Sequence, residues 1–134
     1  MAAVNYCLET VKDTRMGSLI DKSAFENLVS MLGPESGTLL PKLIDDFISD
    51  AGKLMSAAED ALKKSKPDVL FRSAHTLKST SASFGATALS RACRELETVA
   101  KSGELEGAPL LLIRIEKELA AAKTELLKIK CSLG

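Results

Sequence analysis

"GTLLPKLIDDFISDAGKLMSAAEDALKKS", residues 37–65, sets the architecture of this 134-residue chain. Apolar residues recur at Leu40, Leu43, Ile44, Phe47, Ile48, Ala51, Leu54, Met55, Ala58, Ala61 and Leu62, the three-and-four spacing that lays one stripe along a helix. The spacing predicts one long helix. Pro41 is expected in its first turn, where a missing N–H removes no helical hydrogen bond.

Upstream, "SAFENLVSMLG" (23–33) has Ser23 and Glu26 at capping-box spacing, carries Phe25, Leu28, Val29 and Leu32 on one side, and stops at Gly33-Pro34. It predicts a short helix. Residues 1–18 show no sustained periodicity and are read as an N-terminal extension or linker, with residues 19–134 forming the domain. Downstream, Lys66-Pro67 breaks the chain, and Pro67 suits the first position of a helix running to about Phe84, where Gly85 ends or bends it. From Thr87 the residues Leu89, Cys93, Leu96, Val99 and Ala100 keep helical spacing until the two glycines of "KSGELEG" (101–107) mark a loop. A last helix begins near Pro109 and carries Leu112, Ile115, Leu119, Ala122, Leu126 and Ile129. The predicted fold is all-α: an antiparallel four-helix bundle with the additional short N-terminal helix capping it.

Composition narrows the function. Hydrophobic residues make up 46% of the chain, enough for one continuous core at this length. Lys plus Arg equal Asp plus Glu at 18 each, so no basic surplus exists to hold a nucleic acid backbone. Cys7, Cys93 and Cys131 are odd in number, widely spaced and without a CxxC pair, and there is a single histidine, so no zinc or other metal site and no disulfide framework is indicated. They are expected to be reduced thiols of a cytoplasmic protein. No apolar run approaches the roughly 20 residues of a membrane span, and no signal-peptide pattern opens the chain, so membrane insertion is not expected.

The lone histidine, His75, is placed by helical geometry. At about 100° per residue, Leu70, Ala74, Leu77, Ser81 and Phe84 cluster on the side away from it and form the core stripe. His75 is therefore expected to point outward, sharing an exposed strip with Phe71, Arg72, Lys78, Ser79 and Ala82. Lys78, at i+3, is near enough to accompany an anion attached to the ring. Free imidazole titrates near pH 6.5, so a neutral ring able to attack an activated phosphorus is abundant at pH 7. A hydrolytic triad is disfavoured, because a convex strip offers no pocket and no second histidine is present. These patterns alone leave His75 open between a solvated surface residue and a working group.

The stretch "AHTLKSTSASFGATALSRACRELE" (74–97) resembles the signature of histidine-containing phosphotransfer (HPt) domains, approximately AHxLKGxSxxxGAxxLxxxCxxLE. The match includes Ala74, His75, Leu77, Lys78, Ser81, Gly85, Ala86, Leu89, Cys93, Leu96 and Glu97. The resemblance implies a phosphorelay intermediary, not an autonomous kinase: His75 accepts a phosphoryl group from a receiver-domain aspartyl phosphate and passes it reversibly to another receiver aspartate. Lys78 would support the phosphoryl group. Ser79 stands where the family usually has glycine; its hydroxyl can reach a phosphoryl oxygen, and its bulk bears on receiver approach. Phe25, Leu28, Phe71, Arg72 and Ala82 are the candidate docking residues. No cofactor is expected in this chain, with Mg²⁺ supplied by the receiver. Expected partners are receiver (response-regulator) domains, with a hybrid sensor histidine kinase as a further candidate, and the expected state is monomeric. Two alternatives stay open: a helical interaction module that binds a receiver or kinase without carrying phosphate, and the phosphate-accepting domain of a chemotaxis-type kinase.

Overall fold

The computed structural model describes residues 20–133. The expected extension at residues 1–18 and Cys7 lie outside the described residues. Among the described residues five helices follow in order: α1 (Lys22–Leu32), α2 (Ser36–Lys63), α3 (Pro67–Ser83), α4 (Thr87–Ser102) and α5 (Ala108–Leu133), with 3₁₀ turns at Gly33–Glu35 and Leu105–Gly107. α2 to α5 form the bundle. Each packs on the next, and α2 against α5 closes the ring, while α1 rests on α2 and α3. Among the described residues, no helix is long and apolar enough to cross a membrane.

The stripe of α2 is buried at Leu40, Ile44, Phe47, Ala51, Met55, Ala58 and Ala61, and Leu43, Ile48, Leu54 and Leu62 pack along its edges. It meets Leu70, Ala74 and Leu77 of α3, Leu89, Cys93 and Leu96 of α4, and Ile115, Leu126 and Ile129 of α5 in one core. Pro41 lies in the second turn of α2, not the first, because the 3₁₀ turn leads directly into a helix that starts at Ser36. It withholds the bond that would go to the Gly37 carbonyl, and Gly37 is exposed, so water can serve that oxygen.

The N-terminus of α1 also differs from expectation. The cap is Asp21, not a Ser23–Glu26 box: extended at φ −68° and ψ 114°, Asp21 turns its carboxylate back to accept from the Ser23 N–H at 3.0 Å. Glu26 instead approaches Lys22 at 3.6 Å. The same Asp21 ties α1 to the end of α3, its N–H donating to the Gly85 carbonyl at 2.6 Å. Gly85 has φ +80°, and a Cβ there would stand 2.6 Å from the Asp21 carbonyl oxygen. Only glycine satisfies both the left-handed backbone and this approach. Phe84, just before it, stacks obliquely on Phe47 with centroids 4.9 Å apart. The corner therefore fixes where α1 lies beside the histidine helix.

Candidate functional site

α3 turns the expected residues inward. Leu70, Ala74, Leu77, Ser81 and Phe84 are buried, and so is Ser73 at the edge of the stripe. The opposite side presents His75, whose side chain is 57% exposed, with Arg72, Ser79 and Ala82 exposed beside it. Phe71 and Lys78 are half-buried. One turn before His75, the Phe71 ring stacks nearly parallel to the imidazole, with centroids 5.9 Å apart and an angle of 9° between the ring planes.

The group that organises this strip comes from the neighbouring helix. Glu97 of α4 places Oε2 2.7 Å from His75 Nδ1 and accepts from Lys78 Nζ through Oε1 at 3.0 Å. A carboxylate only accepts, so Nδ1 carries the ring proton and the lone pair sits on Nε2. The nitrogen with the free lone pair is thus the one not held by Glu97. Partial burial by itself raises the Glu97 carboxyl, but the hydrogen bonds from His75 and Lys78, with the charge of Lys78, outweigh it and hold Glu97 below the usual carboxylate range. A further bond, from Ser90 Oγ to the Lys78 carbonyl at 3.0 Å, fixes α4 against α3 beside the lysine.

Glu97 is the partner of His75 and Lys78 that the helical wheel of α3 missed. No angle measured along one helix reveals a carboxylate delivered by the next. The available signal was its place at the end of the 74–97 stretch.

The remaining candidates divide. Leu28 and Ala82 share a groove of about 230 Å³ between α1 and α3, together with Met31, which is 83% exposed. Phe71 and Arg72 line a hollow of about 430 Å³ between the start of α3 and the end of α4, with Pro67 and Lys101. Phe25 does not belong to the surface: it is fully buried, because the Asp21 cap turns α1 so that Phe25 and Val29 face the core, leaving Leu28 toward the groove. Ser79 offers its carbonyl to Ser83 Oγ at 3.1 Å, and its own hydroxyl has no hydrogen bond among the described residues.

Cys93, one turn from Glu97, is buried, and burial first and the Glu97 charge second push its thiol up to about 12, which removes it as a nucleophile at neutral pH. Cys93 and Cys131 are free thiols. Among the described residues, no three His, Cys, Asp or Glu side chains cluster closely enough to hold a metal ion.

An exposed histidine, oriented by a carboxylate and accompanied by a lysine, thus stands on a helical bundle that has counterparts among known proteins. The Hpt domain family matches residues 42–125. The chain belongs to the Hpt domain family. It is 31% identical over 86 residues to the phosphorelay protein LuxU of Vibrio vulnificus YJ016, an alignment covering 64% of this chain and 72% of LuxU. The crystal structure of histidine-containing phosphotransfer protein B from Pseudomonas aeruginosa PAO1 superposes with a TM-score of 0.76 at 28% identity, over 84% of this chain and 94% of that one. The X-ray structure of a proposed histidine-containing phosphotransfer protein from rice shares the fold at 18% identity, with a TM-score of 0.81 over 98% and 94% of the two chains. As an Hpt domain the chain is a phosphotransfer intermediary.

Proposed function

We propose that His75 is the phosphorylation site, accepting a phosphoryl group from a receiver-domain aspartyl phosphate and returning it reversibly to the aspartate of another receiver. The observation that carries this reading is the Glu97 bridge: with Nδ1 engaged at 2.7 Å, Nε2 is the free nucleophile on a side chain that is 57% exposed. The Nε2 lone pair attacks phosphorus, the N–P bond forms as the P–O bond to the receiver aspartate breaks, and the carboxylate leaves with the electron pair. Phosphorylation at Nε2 makes the ring cationic, and Glu97, facing Nδ1–H, stabilises that charge. Lys78 sits one turn away to meet the phosphoryl oxygens, and the unengaged Ser79 hydroxyl lies on the same strip to donate to them. A Mg²⁺ ion held in the receiver's acidic pocket would offset the charge of the phosphoryl group there.

Leu28, Phe71, Arg72 and Ala82 would form the docking surface around the ring, in a transient complex with an apolar patch and a polar rim. The donor or acceptor is a receiver domain, freestanding or carried by a hybrid sensor histidine kinase. The carrier acts as a monomer in the cytoplasm.

Incubation with a phosphorylated cognate receiver tests the reading. The expected product is an acid-labile, alkali-stable label on the chain, lost in His75→Gln. A label that survives this substitution, or no transfer from any receiver of the host, defeats it.

A further inference from the structure

Charge is unevenly placed on a chain that is neutral overall. Residues 22–63, which include α1 and α2, carry four lysines against seven carboxylates, whereas residues 67–102, α3 and α4, carry five cations against three. Three of the chain's five arginines, Arg72, Arg91 and Arg94, fall in this second segment.

α4 sharpens the imbalance through its own pairing. Its two carboxylates are both engaged away from its arginines: Glu95 pairs with Arg114 of α5, and Glu97 holds His75 and Lys78. Arg91 and Arg94, both exposed, form no ion pair among the described residues. They line a groove of about 350 Å³ with Ala82 of α3 and with Thr87 and Ser90 of α4. Asp21 lines the groove too, but its carboxylate accepts from the Ser23 N–H as the cap of α1 and forms no ion pair with either arginine among the described residues.

The groove continues the histidine strip. Ala82 is seven residues from His75, two turns along the same face of α3. Arg94 is one turn from Glu97 on α4, and Ser90 is hydrogen-bonded to the Lys78 carbonyl. A protein seated over His75 and Ala82 must therefore cover the two guanidiniums. Burying them without partners is costly, whereas a carboxylate on the incoming surface can take each as a two-pronged pair.

We infer that Arg91 and Arg94 are specificity-determining residues which select receivers carrying carboxylates on the surface that meets the α3–α4 groove. This rests on the reading of His75 as the phosphorylated residue, and it adds an electrostatic gate beside the chemistry. Charges at the rim of a transient complex act mainly on encounter, so the gate acts on association and not on the transfer step.

The test uses the full chain and the phosphorylated receiver that labels it fastest. Arg91→Ala/Arg94→Ala is compared with Lys53→Ala/Lys123→Ala, which removes the same net charge at exposed positions elsewhere. The arginine variant should lower the second-order rate constant of transfer about tenfold at low salt, leave the rate at saturating receiver unchanged, and converge with wild type in about 0.5 M salt. The lysine variant should match wild type. Equal second-order constants and equal salt slopes for wild type and the arginine variant, with His75 still labelled, overturn the arginine assignment alone. So does an equal loss in both variants, since it reports net charge and not the groove. Absence of label from every receiver overturns this inference together with the reading of His75.

Discussion

Glu97 and Glu125 are both shielded carboxylates on neighbouring helices of one bundle, and they behave oppositely. Glu97 spends its two oxygens on two donors, His75 Nδ1 and Lys78 Nζ, and its carboxyl is held low. Glu125, on α5, is 7% exposed; its Oε2 has no hydrogen-bond partner and Lys128 reaches only within 3.9 Å of Oε1. Burial raises the Glu125 carboxyl, and the Lys128 charge only partly offsets this. Burial by itself thus raises a carboxyl. Convergent donors reverse this, because they repay desolvation, and at Glu97 the bond to one of them also orients the His75 ring.

Removing the better-partnered carboxylate should have the larger effect. In Glu97→Ala, His75 loses the bond that selects its tautomer, and transfer to His75 should slow by about ten- to a hundredfold. Nitrogen-15 NMR of the ring separates this from general disruption: wild type should show the Nδ1–H form, and the variant a mixture. A variant with wild-type tautomer and rate would break the contrast between the two glutamates.

Lys78→Ala removes the second donor while leaving His75 bonded to Glu97. Its transfer rate should fall by several-fold to about tenfold, less than for Glu97→Ala, with the ring tautomer retained. Quenched-flow transfer from the phosphorylated receiver reads the order of the two losses.

Acid should separate the two glutamates by sign. The Glu97 carboxyl is lowered in the folded state, so its contribution is complete above the ordinary glutamate range near pH 4.3 and disappears as pH falls through the lowered folded value. Glu125 is raised, so its burial penalty is present at neutral pH and is relieved as pH falls through the raised folded value. Thermal melts against pH should show Glu97→Ala least stable relative to wild type at neutral pH, with the gap closing in strong acid. For Glu125→Leu the advantage over wild type should shrink on mild acidification.

The smallest expected effect is that of Glu125→Leu at neutral pH. It fills the same space without an unpaired oxygen and should raise Tm by about 3 °C, on the order of 1 kcal/mol, with phosphotransfer unchanged. A loss of transfer in this variant would show that the two carboxylates are functionally coupled.

Much of this was legible before any coordinates. The apolar spacing of residues 37–65 and its counterparts gave the helices, because a 3.6-residue period records which side of each must leave water. The wheel of residues 67–84 turned His75 outward for the same reason, and the 74–97 resemblance supplied a chemistry for it. Local pattern was weaker at helix ends and on α1. The Ser23–Glu26 spacing lost to Asp21, whose extended backbone suited the cap, and Phe25, indistinguishable from Leu28 as an apolar residue, proved to be core.

By itself, then, the sequence determined which residues form helices, which face of each is apolar, and that one histidine stands on an outward strip with a lysine. Those properties arise within a few turns of chain. Tertiary structure alone decided that Glu97 reaches both His75 and Lys78 across 22 and 19 residues of sequence, that Gly85 admits the Asp21 backbone, and that Arg91 and Arg94 form no ion pair among the described residues. Each depends on how closely two helices approach and in what register, a quantity set by the packed core and not by the local order of residues.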